Sequence, residues 1–331
     1  MDAADPEILL RVHDLVAAFD TDDGQLTAVD GVTFGVSKGK TLGVVGESGC
    51  GKSVTAMSIM RLLPQPMGKI LGGAIEFDGH DLATIDPLEM RDIRGNRISM
   101  IFQEPMTALN PVHRIGKQIS EVLLQHKEIS KQEAWDQSIE ILGKVGIPSP
   151  GILVTEYPHQ LSGGMRQRVV IAIALACGPE LVIADEPTTA LDVTIQAQIL
   201  QLINDLQRDL GMSVILITHD LGVIAETCDE VCVMYAGRIV ERASAKEVFA
   251  NPRHAYTQGL LNSIPRLNGT PKTELNSIDG MVPALKDLKP GCRFAPRSGR
   301  QHMEAELMER LPIKEIEPGH FVENCPQCTK A

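Results

Sequence analysis

The sequence predicts an α/β fold built on a parallel sheet, and two kinds of segment support this prediction. Short apolar runs at residues 42–45, 181–184 and 213–218 are typical of strands buried on both faces. Helical spacing of apolar residues follows at 53–63 and 195–210. Because buried strands alternate with helices, we expect a parallel sheet covered by helices.

Three further segments complete the predicted organisation. Residues 10–16 and 29–36 read as β-rich strands joined by a turn at 22–24. Residues 104–160 are mostly polar helix with proline and glycine breaks, which indicates a helical insertion. After about residue 250 the pattern loosens, and we expect a proline-rich tail.

Composition excludes several classes of function. The net charge of -12 and an aromatic content of 3% argue against a nucleic-acid partner and against a basic membrane anchor. The longest apolar run, at 169–177, is well short of the ~20 residues that a spanning helix needs. The acidic residues 1–5 lack the apolar run of a signal peptide. The cysteines are mostly scattered, as expected in a reduced cytosolic compartment.

The first chemical motif is a phosphate-binding loop between a buried strand and a helix. It matches G-x-x-x-x-G-K-[ST] and comprises Gly46, Glu47, Ser48, Gly49, Cys50, Gly51, Lys52 and Ser53. Its glycines let backbone N–H groups face the phosphates, and the helix N-terminus adds its positive end. We expect Lys52 to bind the β- and γ-phosphates of ATP and Ser53 to ligate Mg²⁺. The same helix end is expected to favour the Cys50 thiolate, although this residue is more simply a small loop filler.

The second motif is a pair of carboxylates, Asp185 and Glu186, directly after the buried strand at 181–184. Alternation along a strand sends the two side chains in different directions. Asp185 suits Mg²⁺, and Glu186 suits the polarisation of an attacking water. Two acids at a strand end are commonly solvated surface, but the phosphate loop favours the catalytic interpretation.

The third motif is a second helix start that suits an anion. Ser162 is a plausible N-cap, and Gly163 and Gly164 follow it in the segment 161–167. A chain with one phosphate loop has no obvious need for a second such surface. The motif makes sense if it serves a nucleotide that another subunit mainly holds.

Together these motifs resemble those of ABC ATPases over roughly residues 8–245. The segment 161–167 is similar to the family signature, and Gln103 is similar to the Q-loop glutamine. The other matches are the D-loop Ala190, Leu191 and Asp192, the switch residue His219, and Phe19 at the adenine-stacking position. The resemblance implies a RecA-like P-loop core with an antiparallel β edge, a helical subdomain at about 104–180, and a C-terminal extension. The implied domains are 1–250 and 251–331.

The same resemblance implies roles for these residues. Two such domains would meet head to tail, with each ATP between one phosphate loop and the opposite Ser162, Gly163 and Gly164. Gln167 and Asp192 join the implied nucleotide-binding set. His219 would contact the γ-phosphate, and Gln103 would link Mg²⁺ to a transmembrane partner. A lone histidine after a strand is more often structural, and a phenylalanine such as Phe19 is commonly core.

A narrower resemblance, to dipeptide and oligopeptide importer ATPases, rests on residues 102–111, 157–161 and 251–257. Ala255 stands where these proteins usually have proline. The implied partners are two permease subunits, a second and paralogous ATPase subunit, and an extracytoplasmic solute-binding protein. The implied location is the cytoplasmic face of the inner membrane, as a peripheral subunit. Importers of nickel, glutathione or antimicrobial peptides, exporters, and soluble ABC ATPases remain as alternatives.

The tail at 291–297 and 318–322 resembles the family's C-terminal region, which in some members ligates a [4Fe–4S] cluster through four cysteines. Here Ser298 stands where a second cysteine is expected. Three thiols remain, Cys292, Cys325 and Cys328, with His302 or His320 as a fourth ligand. A [4Fe–4S] cluster, a Zn²⁺ site and unligated thiols all stay open.

Overall fold

A computed structural model describes residues 7–22, 24–189, 191–264 and 278–330 of the chain. Asp23 of the predicted turn, Ala190 of the predicted D-loop and the N-terminal residues 1–5 lie outside the described residues. Within the described ranges, no helix combines the length and the apolar character needed to cross a membrane.

The strands and helices follow one another along the described chain. The strands are β1 (Ile8–Thr21), β2 (Gly24–Ser37), β3 (Thr41–Val45), β4 (Gly68–Phe77), β5 (His80–Asp81), β6 (Ile98–Ile101), β7 (Leu181–Asp185), β8 (Ser213–Ile217), β9 (Glu230–Tyr235), β10 (Arg238–Ser244), β11 (Ile313–Glu317) and β12 (His320–Glu323). The helices are α1 (Lys52–Ile59), α2 (Pro87–Ile93), α3 (Pro105–Ala108), α4 (Ile115–His126), α5 (Lys131–Lys144), α6 (Pro150–Leu153), α7 (Gly163–Leu175), α8 (Val193–Leu210), α9 (Leu221–Thr227), α10 (Ala245–Ala250), α11 (Ala255–Asn262) and α12 (Glu304–Met308).

The chain divides into two compact units, and the first consists mainly of Thr84–Ile217 with Val36–Lys40. Strands β6, β7 and β8 of this unit are parallel neighbours, and every residue in them is buried. Such apolar runs, without alternation, are what a sheet covered on both faces requires. Asp185 pairs with Ile217, so the carboxyl ends of β7 and β8 lie at one edge. Ligands in open α/β sheets bind beyond this edge.

Helices dominate the rest of the first unit. Helices α3 to α7 occupy the part of the chain predicted as the helical subdomain, whose bounds stay a prediction. A capping box starts α5, because Ser130 accepts from the Glu133 amide while Glu133 accepts from the Ser130 amide. Helix α8 begins at the cap Asp192 and ends at Gly211, whose φ of 66° suits glycine.

The second unit comprises the described residues of Leu9–Gly35, Thr41–Ala83 and Thr218–Ala331. Its strand β3 runs parallel to β9, and β10, β12 and β11 continue from β9 in antiparallel order. A separate four-stranded sheet has the order β2-β1-β4-β5, with antiparallel pairing of β1 to β4 and β4 to β5. The predicted antiparallel β part is therefore confirmed.

The described part of the tail after residue 250 contains more regular structure than the sequence indicated. Strands β11 and β12 form a hairpin that pairs with β10. Buried polar groups explain why the sequence pattern was weak: His320 and Glu241 are almost fully buried, with 2.8 Å between His320 Nε2 and a Glu241 carboxylate oxygen. Ladder bonds and this pair stabilise the tail where apolar alternation is missing. The units also do not divide at residue 250, and that domain boundary stays a prediction.

Asp30 of β2 attaches the C-terminal extension to the rest of the second unit. Its carboxylate accepts from Arg238 of β10, with Nε 2.9 Å and Nη2 2.8 Å away. Arg293 and Arg310 of the extension donate to the same carboxylate. Burial alone would raise the pKa of Asp30, but the charge and hydrogen bonds of Arg238, with Arg293 and Arg310, lower it. The carboxylate therefore stays ionised, and the three guanidinium groups compensate its charge.

Helix α1 is shorter than the helix predicted at 53–63. It ends at Ile59, and Arg61 beyond it has a left-handed φ of 49°. The apolar residue Leu63 is buried all the same. Spacing alone predicted a longer helix because buried residues continue past the point where the backbone leaves the helical conformation.

Candidate nucleotide site

The phosphate loop of the second unit depends on glycine at two crowded positions. Gly46 has φ 152° and Gly51 has φ 102°, a backbone conformation that other residues rarely adopt. A Cβ on Gly46 would lie 2.1 Å from the Met234 carbonyl oxygen, and one on Gly51 would lie 2.7 Å from that of Ala28. The neighbouring backbone therefore leaves no room for side chains here, and the loop curls as the motif predicts.

Lys52, the first residue of α1, turns its ammonium group back onto this loop. Its Nζ donates to the carbonyl oxygens of Gly46 at 2.7 Å and Glu47 at 3.1 Å. The side chain is largely buried, while Ser48 and Gly49 on the outer side of the loop are exposed. Ser53 follows in α1 and is half-buried. The loop thus holds a cation beside backbone N–H groups, which is the chemistry that binds phosphate.

The expected thiolate at Cys50 is contradicted, whereas the simpler interpretation of this residue as a small loop filler agrees with the structure. Its side chain is fully buried, and its sulfur lies 2.7 Å from where a Cβ of Gly46 would be. Burial raises the pKa of the Cys50 thiol, even though the nearby Lys52 acts to lower it. Desolvation outweighs the helix end, so Cys50 is a neutral filler of the loop and not a reactive thiolate.

The first unit brings two predicted catalytic residues together. Glu186 Oε2 accepts from Gln103 Nε2 at 3.0 Å, and from the Thr189 hydroxyl at 2.9 Å. Glu186 has a left-handed φ of 46°, and its amide donates to the Ile217 carbonyl at the end of β8. The preceding Asp185 is largely buried in β7. The carboxylate of Glu186 is therefore oriented by two neutral donors, which suits a group that must hold a water in place.

The signature segment lies at the start of α7, as predicted. Ser162 caps this helix by accepting from the Met165 amide at 3.4 Å. A Cβ on Gly164 would lie 2.9 Å from Ile195 Cγ2 of α8, so the glycine permits close packing of the two helices. Asp192 caps α8 by accepting from the Ile195 amide at 3.1 Å. Two predicted nucleotide-binding residues thus start adjacent helices.

Gln167 lies differently from its neighbours in the signature. It is 1% exposed, and neither atom of its amide has a hydrogen-bond partner among the described residues. Such a buried amide ordinarily requires partners. Its predicted contact with nucleotide stays a prediction, and direct contact would need the helix end to rearrange.

His219 and Phe19 both belong to the second unit. His219 is exposed and follows Thr218, whose amide donates to the Val44 carbonyl in the strand before the phosphate loop. Phe19 pairs with Gly68 across β1 and β4 and is half-buried. The γ-phosphate contact of His219 and the adenine contact of Phe19 stay predictions.

The tail thiols form a compact group with His302. The Nε2 atom of His302 lies 3.5 Å from Cys325 Sγ and 3.4 Å from Cys328 Sγ. The sulfurs of Cys292 and Cys328 are 3.7 Å apart, and the four ligand atoms all lie within 4.8 Å of one another. His320, the other candidate, instead contacts Glu241.

Sequence reasoning missed three residues that contact these sites. Thr189 follows Glu186 closely and could have been considered from its hydroxyl and spacing. Tyr256 and Arg297 contact Glu47 of the phosphate loop from more than 200 residues away. No local pattern could have indicated them, although both lie in segments that resemble importer ATPases.

Comparison with known proteins agrees with this geometry. The family model described as ABC transporter matches residues 29–189, and the model of the oligopeptide/dipeptide transporter C-terminal region matches 240–304. The dimeric ATP-binding cassette MJ0796, in a post-hydrolysis state with ADP and Pi, is similar with a TM-score of 0.64. The two sequences are 26% identical, and the superposition covers 71% of this chain and 98% of the MJ0796 chain. The predicted ABC ATPase fold is thus confirmed.

Curated relatives are more similar still. The probable peptide ABC transporter ATP-binding protein y4tR of Sinorhizobium fredii is 52% identical over 95% of this chain and 93% of its own length. The oligopeptide transport ATP-binding protein OppD of Bacillus subtilis is 51% identical over 96% of this chain and 88% of its own length. Because these likenesses extend over nearly the whole chain, it belongs to the family of ABC transporter ATP-binding proteins, which hydrolyse ATP to drive transport.

Proposed function

We propose that the ATP hydrolysis of this chain energises the import of di- or oligopeptides. The observation that carries the proposal is its identity of 51% to 55% with proteins named for peptide, oligopeptide or dipeptide transport. The match to the C-terminal region of such transporters supports it independently of the ATPase motifs. Importers of nickel, glutathione or antimicrobial peptides are the alternative within the same class.

The proposed reaction is ATP plus water to ADP plus phosphate. Lys52 and the N–H groups of the phosphate loop bind the phosphates, and the ammonium exchanges its two carbonyl acceptors for phosphate oxygens. Glu186 orients and polarises the attacking water, held in place by Gln103 and Thr189. Ser53, Gln103 and Asp185 offer the oxygen ligands that Mg²⁺ prefers. Bound Mg²⁺ would offset phosphate charge.

The proposed assembly follows from the two separate anion-binding helix starts. Ser162 would complete the nucleotide site of a second, paralogous ATPase subunit, and that subunit would complete the site at Lys52. Two permease subunits and an extracytoplasmic solute-binding protein would complete the importer. The chain would then lie peripherally at the cytoplasmic face of the inner membrane.

Reconstitution with the permeases, the partner ATPase and the binding protein tests the transported class. We expect ATP hydrolysis in proteoliposomes to rise several-fold when a peptide-loaded binding protein is added, with uptake of labelled di- or oligopeptide. Ni²⁺ and glutathione serve as matched controls in the same vesicles. Stimulation by either of these, with no response to a peptide library, would reject the peptide assignment but leave the ATPase assignment intact.

We also propose that the tail binds one tetrahedral metal ion, preferably Zn²⁺, through Cys292, His302, Cys325 and Cys328. With Zn–S bonds of about 2.3 Å, tetrahedral ligand atoms lie about 3.8 Å apart. The distances from His302 Nε2 to the sulfurs of Cys325 and Cys328 and between the sulfurs of Cys292 and Cys328, 3.4 to 3.7 Å, fit that geometry, and all four ligand atoms lie within 4.8 Å of one another. A [4Fe–4S] cluster normally takes four thiolates, and this group has three.

The surroundings of His302 favour its role as a ligand. Its Nδ1 lies 3.0 Å from the carbonyl oxygen of Arg300. A proton on Nδ1 directed at this oxygen leaves Nε2, the atom beside the sulfurs, to bind metal. The ion would tie 292, 302 and the 325–328 segment together and stabilise the extension.

Metal analysis of the purified chain tests this centre. We expect about one equivalent of zinc, and we expect His302→Gln to lower zinc affinity about tenfold or more. His320→Gln is the control, because His320 is buried in the same extension but contacts Glu241. Four iron and four sulfide per chain after anaerobic purification would reject the single ion, and metal-free protein with three alkylated thiols would reject both.

A further inference from the structure

Among the described residues, the C-terminal extension contacts the phosphate loop at Glu47, and Arg297 contacts the side chain of this residue. Arg297 Nη1 donates to Glu47 Oε2 at 2.6 Å, and Nη2 donates to Oε1 at 3.0 Å. The two parallel hydrogen bonds make a bidentate ion pair, the strongest geometry that a guanidinium and a carboxylate adopt. The pair thus ties the loop to a segment 250 residues later in the chain.

Contacts other than the ion pair with Glu47 also hold the Arg297 side chain in position. Its Nε donates to the Asp279 carbonyl at 2.9 Å, and Nη2 also contacts the Ile278 carbonyl at 3.2 Å. Its side chain is 4% exposed, whereas that of Glu47 is 32% exposed. An arginine fixed by other contacts loses little conformational entropy when it forms an ion pair. This pair therefore differs from an ordinary surface salt bridge.

A second residue of the extension holds the backbone of Glu47. The Glu47 amide donates to the Tyr256 hydroxyl at 2.9 Å. Tyr256 is fully buried and packs on Tyr235 and Phe294, with ring centroids 4.6 and 5.5 Å away. Burial raises the pKa of Tyr256, so its hydroxyl stays neutral and adds no negative charge beside the loop.

The charge of Glu47 explains why such contacts matter. Its carbonyl oxygen accepts from Lys52 Nζ, so residue 47 lies directly beside the phosphate-binding cation. An uncompensated carboxylate in a loop that binds a triphosphate would repel it. Arg297 supplies the compensating charge from outside the loop.

We propose that Arg297 is a positioning residue of the nucleotide site, which neutralises Glu47 and orients it away from the bound phosphates. Through this pair the extension sets the affinity of the phosphate loop for ATP. The inference rests on ATP binding at this loop, and it is independent of the transported solute and of the tail metal.

A rescue experiment separates charge compensation from a structural role. We expect Arg297→Gln to raise the Kd for a fluorescent ATP analogue, and the KM for ATP of the assembled transporter, about tenfold while kcat changes less than about twofold. Glu47→Gln alone should change either value less than about threefold. The double variant Glu47→Gln, Arg297→Gln should recover to within about threefold of the original chain, because no carboxylate is left to repel phosphate.

Two further variants make the test decisive. Arg310→Gln is the matched control, because it removes an extension arginine that pairs with Asp30 and not with the loop, and it should leave the KM unchanged. If Arg297→Gln folds poorly, Arg297→Lys retains the charge without the bidentate geometry and should raise the KM by less than about threefold. A double variant as weak as Arg297→Gln alone, or an unchanged KM in Arg297→Gln, would overturn the inference. An original chain that binds no ATP at all would instead overturn the proposed function.

Discussion

Replacement of Glu186 by glutamine is expected to lower the ATPase rate of the assembled transporter by at least about a hundredfold. The Glu186 carboxylate accepts hydrogen bonds from Gln103 and Thr189. A glutamine amide has the same shape but can keep only part of these hydrogen bonds. It is also a far weaker base than a carboxylate. Lys52 and the phosphate loop are unchanged in the variant, so ATP affinity should remain within about threefold. The expected product is a complex that binds ATP and holds it without turnover.

Steady-state phosphate release and equilibrium binding of a fluorescent ATP analogue measure the two effects separately. Glu180→Gln is the matched control, because Glu180 precedes the same strand β7 and pairs with Arg97 at 2.6 Å near the surface. It makes the same chemical change at the other end of the strand and should retain nearly full activity. Turnover close to that of the original protein in Glu186→Gln would remove Glu186 from the mechanism.

The second large effect is expected from Ser162→Arg. The bulky cation would occupy the start of α7, where the proposed nucleotide of the partner subunit meets the signature. We expect the ATPase rate of the assembled transporter to fall about a hundredfold. Binding of ATP to the isolated chain should hardly change, because Lys52 and its loop lie elsewhere in the sequence and are intact.

Loss of a helix cap is the competing explanation, and Ser130→Arg controls for it. Ser130 caps α5 as Ser162 caps α7, and removal of either cap costs about 1 kcal/mol of stability. The two variants should therefore have similar melting temperatures, while only Ser162→Arg loses activity. Equal losses in both would mean that Ser162 acts through helix stability alone.

The local sequence was sufficient to predict a site wherever the reactive side chains and the residues that shape the backbone lie in one short segment. The phosphate loop was predictable because its glycines, Lys52 and Ser53 all lie within the segment 46–53, and the backbone is crowded at Gly46 and Gly51 as such a loop requires. The carboxylates after β7 were predictable because a buried strand has a recognisable apolar pattern. Family resemblance added Gln103, which the structure places against Glu186.

Burial was harder to predict than position. The sequence placed Cys50 correctly in the loop. It also predicted a lowered pKa for the thiol, because a helix N-terminus can be recognised from sequence. The desolvation that raises this pKa depends on the folded surroundings and cannot be recognised in the same way. Gln167 lies in the expected motif, yet it is almost fully buried. In both cases neighbours distant in sequence determine the solvent exposure, so a local motif carries no information about it.

The sequence by itself determined the ATPase motifs, the order of strands and helices in the α/β core, and the three tail thiols. Only the tertiary structure decided that His302 and not His320 joins those thiols, and that Arg297 and Tyr256 contact Glu47. The physical reason is the range of the interactions. Helix spacing, glycine conformation and strand burial act over a few residues, whereas ion pairs and the group of tail thiols with His302 join side chains that only the folded chain brings close together.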